Sequence, residues 1–152
     1  QSLMVHMNII EKTLKLGFDE IIVAVTANSS KKATMFTLQE RYNIIKNLYK
    51  YNNKVRVILV EAGKASVKVA EKYNCKAMIR GFRNVTDFEC ELNLSKVNST
   101  ISNVETVFLT ADHKYDFISS STTRELAYLD ENISFYVPSL IEKEIIKKLN
   151  KN

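Results

Sequence analysis

In MIRGFRNVTDFECE, residues 78 to 91, Arg80 and Arg83 bracket Gly81-Phe82 between an apolar run and a stretch with helical spacing. Guanidinium groups present forked donors that match phosphate oxygens, and α/β proteins hold their ligands beyond the carboxyl ends of their strands. An isolated R-x-x-R is more often a pair of solvated charges, so the rest of the chain has to decide. Asn28, Lys31 and Lys32 follow one β-branched run, and His113, Lys114 and the triplet Ser119, Ser120, Ser121 follow another. The lysines alone read equally well as a solvated pair. The serines read first as a helix cap, and a capped helix N-terminus also binds phosphate. Gathered on one rim, two lysines, two arginines and three serines describe a polyphosphate site. The chain has only three glycines. Its one Gly-Lys pair, Gly63-Lys64, has Ile58 where a Walker loop needs its first glycine and Ala65 where it needs a hydroxyl. Phosphate here would be held by side chains and helix N-termini, not by a glycine cradle.

The elements that must position these residues alternate along the chain. Residues 6–16 have helical spacing, with Met7, Ile10, Leu14 and the neighbouring Ile9 on the apolar face. EIIVAVT (20–26), KVRVILV (54–60), KAMIR (76–80) and VETVFLT (104–110) read as strands, the first as a buried parallel one. Between them, Thr37-Leu38-Gln39-Glu40 fits a capping box opening a helix to about Lys50, and ASVKVAEKY reads as a short helix. A long helix from Val85 stacks Val85, Phe88, Leu92 and Val97, with Asp87 and Glu89 favouring its dipole. Ser139 and Glu142, after the only proline, cap a final helix through Leu149. This order predicts an α/β protein: one domain over 1–152 with a doubly wound, Rossmann-like parallel sheet flanked by helices.

Composition narrows the class without choosing a function. The 152 residues are 45% hydrophobic and 26% charged, with a net charge of +5. That charge suits an anionic small molecule or a nucleic acid, but no interleaved aromatic and basic motif supports nucleic-acid binding. No run approaches a membrane helix and no signal-peptide pattern is present. Cys75 and Cys90 have neither metal-site nor disulfide-framework spacing, so reduced thiols in a cytoplasmic protein are expected.

The strings NSSKKATMFTLQER, IRGFRNVTDFECELNL, ETVFLT and FISSSTTREL resemble phosphopantetheine adenylyltransferases, nucleotidyltransferases of coenzyme A biosynthesis, from about His6 to the C-terminus. The resemblance implies transfer of the adenylyl group of ATP to 4'-phosphopantetheine with Mg²⁺, in a homohexamer. It implies that His6 contacts the nucleotide phosphates, and that Lys31 and Arg80 grip the acceptor phosphate and the transferring phosphoryl group. Arg83, Ser119, Ser120 and Ser121 would hold the ATP phosphates, and Glu91 and Tyr115 would line the nucleotide pocket. Ala65, Ser66 and Val67 would line the pantetheine arm. Three departures stand out. The family's opening strand and its G-[ST]-F-D-P loop have no counterpart here, so an incomplete N-terminus is expected. Val5 replaces the glycine of T-x-G-H, where a side chain would crowd the phosphates. Residues 63–70 read GKASVKVA in place of G-L-L-V-D-[FY]-A. The alternatives are a nucleotidyltransferase for another phosphorylated acceptor and a nucleotide-binding protein of the same fold without turnover.

Overall fold

The structure is a computed structural model that describes residues 3–27, 35–61, 63–116 and 118–150, without the side chain of Ser120. Helices and strands alternate: α1 (Leu3–Lys15), β1 (Ile21–Thr26), α2 (Leu38–Leu48), β2 (Val55–Val60), α3 (Ser66–Lys72), β3 (Ala77–Phe82), α4 (Val85–Ser99), β4 (Glu105–Thr110), α5 (Ser120–Tyr128) and α6 (Ser139–Leu149). A single 3-10 turn, His113–Tyr115, stands between β4 and α5. β1 and β2 are parallel, in register from Ile21 opposite Val55 to Thr26 opposite Val60. β3 pairs with β4, so the described strands form two pairs. Alternating helices and parallel strands make this the Rossmann-like α/β fold that the sequence predicts.

The chain divides into two compact units, one of Gln1–Lys12, Arg80–Leu92 and Phe108–Asn152, the other of Thr13–Ile79 and Asn93–Val107. In the second unit β-branched runs make the strands, and Val25, Ile58 and Val60 are buried. Val67, Ala70 and Met78 form a cluster flanked by Cys75 and Val104. The expected capping box opens α2. Thr37 Oγ1 accepts from the Glu40 N–H at 3.2 Å, and Glu40 Oε2 accepts from the Thr37 N–H at 2.7 Å.

In the first unit Val5, Ile9, Tyr115, Ile118, Ile133, Val137, Ile141 and Ile145 are buried. Gly81 lies so close under α1 that an added Cβ would stand 2.4 Å from Ile9 Cγ1. Phe88 on α4 meets Phe82 at 5.0 Å and Phe108 at 5.4 Å between ring centroids, tilted or edge-on as aromatic quadrupoles prefer.

Several local expectations change. α1 begins at Leu3, not His6, because Leu3 and Met4 are good helix formers. Ile9 is buried as expected, but its buried companions are Val5, Asn8 and Thr13, while Met7, Ile10 and Leu14 are half-buried. The four buried residues recur at helical spacing, but two are polar and a hydrophobicity count passes over them. Val5 is fully buried and belongs to the core. β3 continues through Gly81 and Phe82, which puts Arg80 inside the strand.

The stripe expected on α4 is broken. Val85 is 73% and Val97 is 61% exposed. The five-residue step from Leu92 to Val97 turns about 140° around a helix of 3.6 residues per turn. Cys90 is exposed. The N-cap of α6 is Pro138, whose backbone is extended at φ −59° and ψ 151°, which leaves Ser139 and Glu142 inside the helix and no side-chain cap.

Candidate active site

Arg80, Arg83, Glu91, Tyr115, Ser119 and Ser121 all belong to the first unit, as does His6. Arg80 points its Nε at Glu91 Oε2 across 3.6 Å, with both side chains half-buried. That distance pairs the charges but is too long for a hydrogen bond. Glu91 Oε2 is buried and makes no hydrogen bond among the described residues. A buried carboxylate oxygen in this state depends on the neighbouring cation for its compensation. The Arg80 fork therefore keeps donors for a ligand.

Arg83 is committed differently. Its Nε donates to Asp87 Oδ2 at 2.8 Å, and its Nη1 donates to the carbonyl of Ile118. The first bond fixes the guanidinium over the opening turn of α4, where Asn84 Oδ1 accepts from the Asp87 N–H at 2.9 Å. The second reaches 35 residues along the chain to the residue just before Ser119. A guanidinium has five N–H donors, so two bonds leave several for an anion.

Ser119 is the N-cap of α5, with φ −123° and ψ 153°. Its Oγ accepts from the Thr122 N–H at 3.0 Å and lies 2.8 Å from both Ser121 Oγ and Thr122 Oγ1. Thr123 Oγ1 donates to the Ser119 carbonyl at 2.9 Å. The turn is thus set by a hydroxyl cluster, and the positive end of the α5 dipole opens beside the Arg83 contact. Cap and phosphate-binding readings of the serines are compatible, since the helix amides remain the anion donors.

Tyr115 is buried in the 3-10 turn, with Lys114 Nζ 5.0 Å from its ring centroid. His113 is exposed, and its Nδ1 lies 3.1 Å from Asp116 Oδ2. His6 is exposed in the first turns of α1.

Lys31 and the side chain of Ser120 lie outside the described residues. Ala65, Ser66 and Val67 belong to the second unit. Ala65 is the exposed N-cap of α3 without a side-chain bond, Ser66 is half-buried, and Val67 is fully buried in the Met78 cluster.

The site also has a support that motif reading missed. Asn8, 5% exposed, accepts from the Asp112 N–H at 3.0 Å and donates to Asp112 Oδ2 at 2.9 Å. Lys12 Nζ reaches Asp112 Oδ1 at 2.8 Å and the Thr110 carbonyl at 2.6 Å. The hydrogen bond from Lys12, then that from Asn8 and the charges of Lys12 and Lys114, hold the Asp112 carboxyl below its ordinary pKa against an opposing effect of desolvation. The available signal was helical spacing alone: Asn8 stands three residues after Val5 and beside Ile9.

Residues 5–126 match the cytidylyltransferase-like family. The phosphopantetheine adenylyltransferase of Finegoldia magna is 40% identical over 146 residues, spanning 95% of this chain and 88% of that protein. That of Syntrophomonas wolfei is 41% identical over 145 residues, with 95% and 88% covered. That of Thermodesulfovibrio yellowstonii is 35% identical over 147 residues, with 96% and 89% covered. With nearly the whole chain aligned, and with Arg80, Arg83 and the serine-capped α5 set in one unit of a Rossmann-like fold, the chain belongs to the phosphopantetheine adenylyltransferases, a family of nucleotidyltransferase enzymes.

Proposed function

We propose that this protein transfers the adenylyl group of ATP to 4'-phosphopantetheine, giving dephospho-coenzyme A and pyrophosphate, with the whole chain acting as one nucleotidyltransferase domain. An oxygen of the acceptor phosphate attacks the α-phosphorus of ATP. The bond from that phosphorus to the bridging oxygen breaks, and pyrophosphate leaves with the electron pair. Such a reaction needs positioning and charge stabilisation more than covalent help. The observation that carries the reading is the bond from Arg83 to the Ile118 carbonyl, which couples an arginine fork to the capped N-terminus of α5.

In this reading Arg83, Ser119, Ser120, Ser121 and His6 bind the ATP phosphates, and Glu91 and Tyr115 line the nucleotide. Lys31 and Arg80 hold the acceptor phosphate and the transferring group; Arg80 suits this because its fork is not spent on Glu91. Ala65, Ser66 and Val67 line the pantetheine arm. No three histidines, cysteines or carboxylates gather into a metal cage among the described residues. An Mg²⁺ ion would bind the triphosphate oxygens, not this donor set, and would supply neutralisation of charge there.

The proposed setting is the cytoplasm, and no described helix is long and apolar enough to cross a membrane. The proposed assembly is a homohexamer. Exposed Leu94 and Val97 on α4, with Ile101 just past its end, form an apolar stripe suited to a second copy. Light scattering at micromolar concentration should give a mass above the 17.4 kDa of one chain.

The test of the reaction is pyrophosphate release from ATP and Mg²⁺, with and without 4'-phosphopantetheine. Release that depends on phosphopantetheine supports the proposal. The departure at residues 63–70 favours, as second reading, another phosphorylated acceptor, which that assay would reveal by substitution of acceptors.

A further inference from the structure

The stretch Thr110-Ala111-Asp112 is gripped from two elements. The Ala111 N–H donates to the Phe82 carbonyl at 2.7 Å, one residue before Arg83. From α1, Asn8 makes its reciprocal pair of bonds with Asp112, while Lys12 bonds Asp112 and the Thr110 carbonyl. The Asn8 and Asp112 bonds span 104 residues of sequence. Asn8 is buried, and a buried amide is tolerated only when both its ends find partners, which here they do in one residue. Two residues before Asn8 stands His6; three after Asp112 stands Tyr115, and the cap Ser119 follows. All of these lie in one unit.

We propose that Asn8, Asp112 and Lys12 form a positioning clamp that holds α1, with its His6, and the segment leading to Tyr115 and Ser119 in a single arrangement around the triphosphate, without touching substrate. The proposal rests on the adenylyl-transfer reading for its catalytic consequence but not for its structural one. A hydrophobic pair would pack α1 against this stretch equally well. A two-ended amide bond fixes register and direction besides, as reaction geometry requires, since misplacement by about 1 Å can cost on the order of 100-fold in rate.

The chemistry permits an exchange test. Asn8→Asp leaves two carboxylates facing each other and removes the donor to Asp112 Oδ2. Adding Asp112→Asn restores a donor and an acceptor in reversed order, keeps the net charge, and leaves Lys12 four residues along the helix from the new carboxylate. In the full chain, Asn8→Asp should lower kcat at least ten-fold with the dissociation constant for ATP changed less than three-fold. Hydrogen exchange of the amides in 113–119 should rise. The double variant should bring kcat to within about three-fold of the parent and return the exchange to the parental level. Unchanged kcat and exchange in Asn8→Asp would overturn the clamp, as would a folded double variant that restores neither. If the parent releases no pyrophosphate with phosphopantetheine, the reaction reading fails by itself, and the hydrogen-exchange arm still decides the clamp.

Discussion

Gly81→Ala is the smallest change that should disturb this site. Gly81 lies in β3 between Arg80 and Phe82, and its backbone needs no unusual φ, so the constraint is space alone. An added Cβ would stand 2.4 Å from Ile9 Cγ1, 2.9 Å from Cδ1 and 3.3 Å from Cβ. The first contact is about 1 Å short of the ~3.5 Å at which carbon atoms attract. Ile9 cannot simply rotate away, because a β-branched side chain on a helix has one strongly preferred χ1 rotamer. α1 must back off instead, or the isoleucine must leave its rotamer. Overpacking of this kind costs about 1–3 kcal/mol.

The same retreat carries His6 and the Asn8 end of the clamp away from β3, so turnover should fall further than folding stability alone would require. The assay is equilibrium urea unfolding of Gly81→Ala, Ile9→Ala and the double variant. Ile9→Ala alone should cost about 2–5 kcal/mol by leaving a cavity. In that background the new methyl has room, and Gly81→Ala should be near neutral or stabilising. The coupling energy should therefore be about 1–3 kcal/mol. Additive effects, with coupling below about 0.5 kcal/mol, would refute the claim that glycine is there to admit Ile9.

Thr37→Ala should remove about 0.5–2 kcal/mol by leaving the Glu40 amide without its cap, read from the shift in urea midpoint at unchanged m-value. Asp112 has a folded-state pKa below its unfolded one, so its contribution is present above the unfolded pKa and is lost as pH falls through the folded one. Thermal scans from pH 7 down to pH 3 should therefore show a shallower acid loss for Asp112→Asn than for the parent. Arg83→Ala should weaken ATP binding by about 1.5–3 kcal/mol, the range for charge-assisted bonds, in calorimetry on folded protein. Arg83→Lys should recover only part of this, because one ammonium cannot reproduce the fork shared by Asp87 and the Ile118 carbonyl.

What could be read from sequence divides along a physical line. Each of the four strands is a run of β-branched or apolar residues whose preference is local, and each appeared within two residues of its place at either end. The box at Thr37 and Glu40 is local as well, both partners lying inside one helical turn. Arg80, Arg83 and the serines could be picked out because a cluster of phosphate-binding types at strand ends and helix starts is itself a pattern. Their arrangement could not. The bond from Arg83 to Ile118 joins residues 35 apart, and those from Asn8 to Asp112 join residues 104 apart, separations at which no periodicity carries information.

Asn8 shows the difficulty most plainly. A polar residue on a helix counts toward the solvent face until its partner is known, and its partner is set by the tertiary fold. Its burial, with that of Val5 and Thr13, moved the buried face of α1 away from Met7, Ile10 and Leu14, and the same blindness hid the clamp. The opposite error occurred on α4, where Val85 and Val97 counted toward a core that does not cover them. Hydrophobicity reports what a residue would gain by burial; only the packed neighbours decide whether it is buried. In this chain the residues that would meet phosphate are recognisable by type, while those that hold them in place are recognisable only by the company they keep.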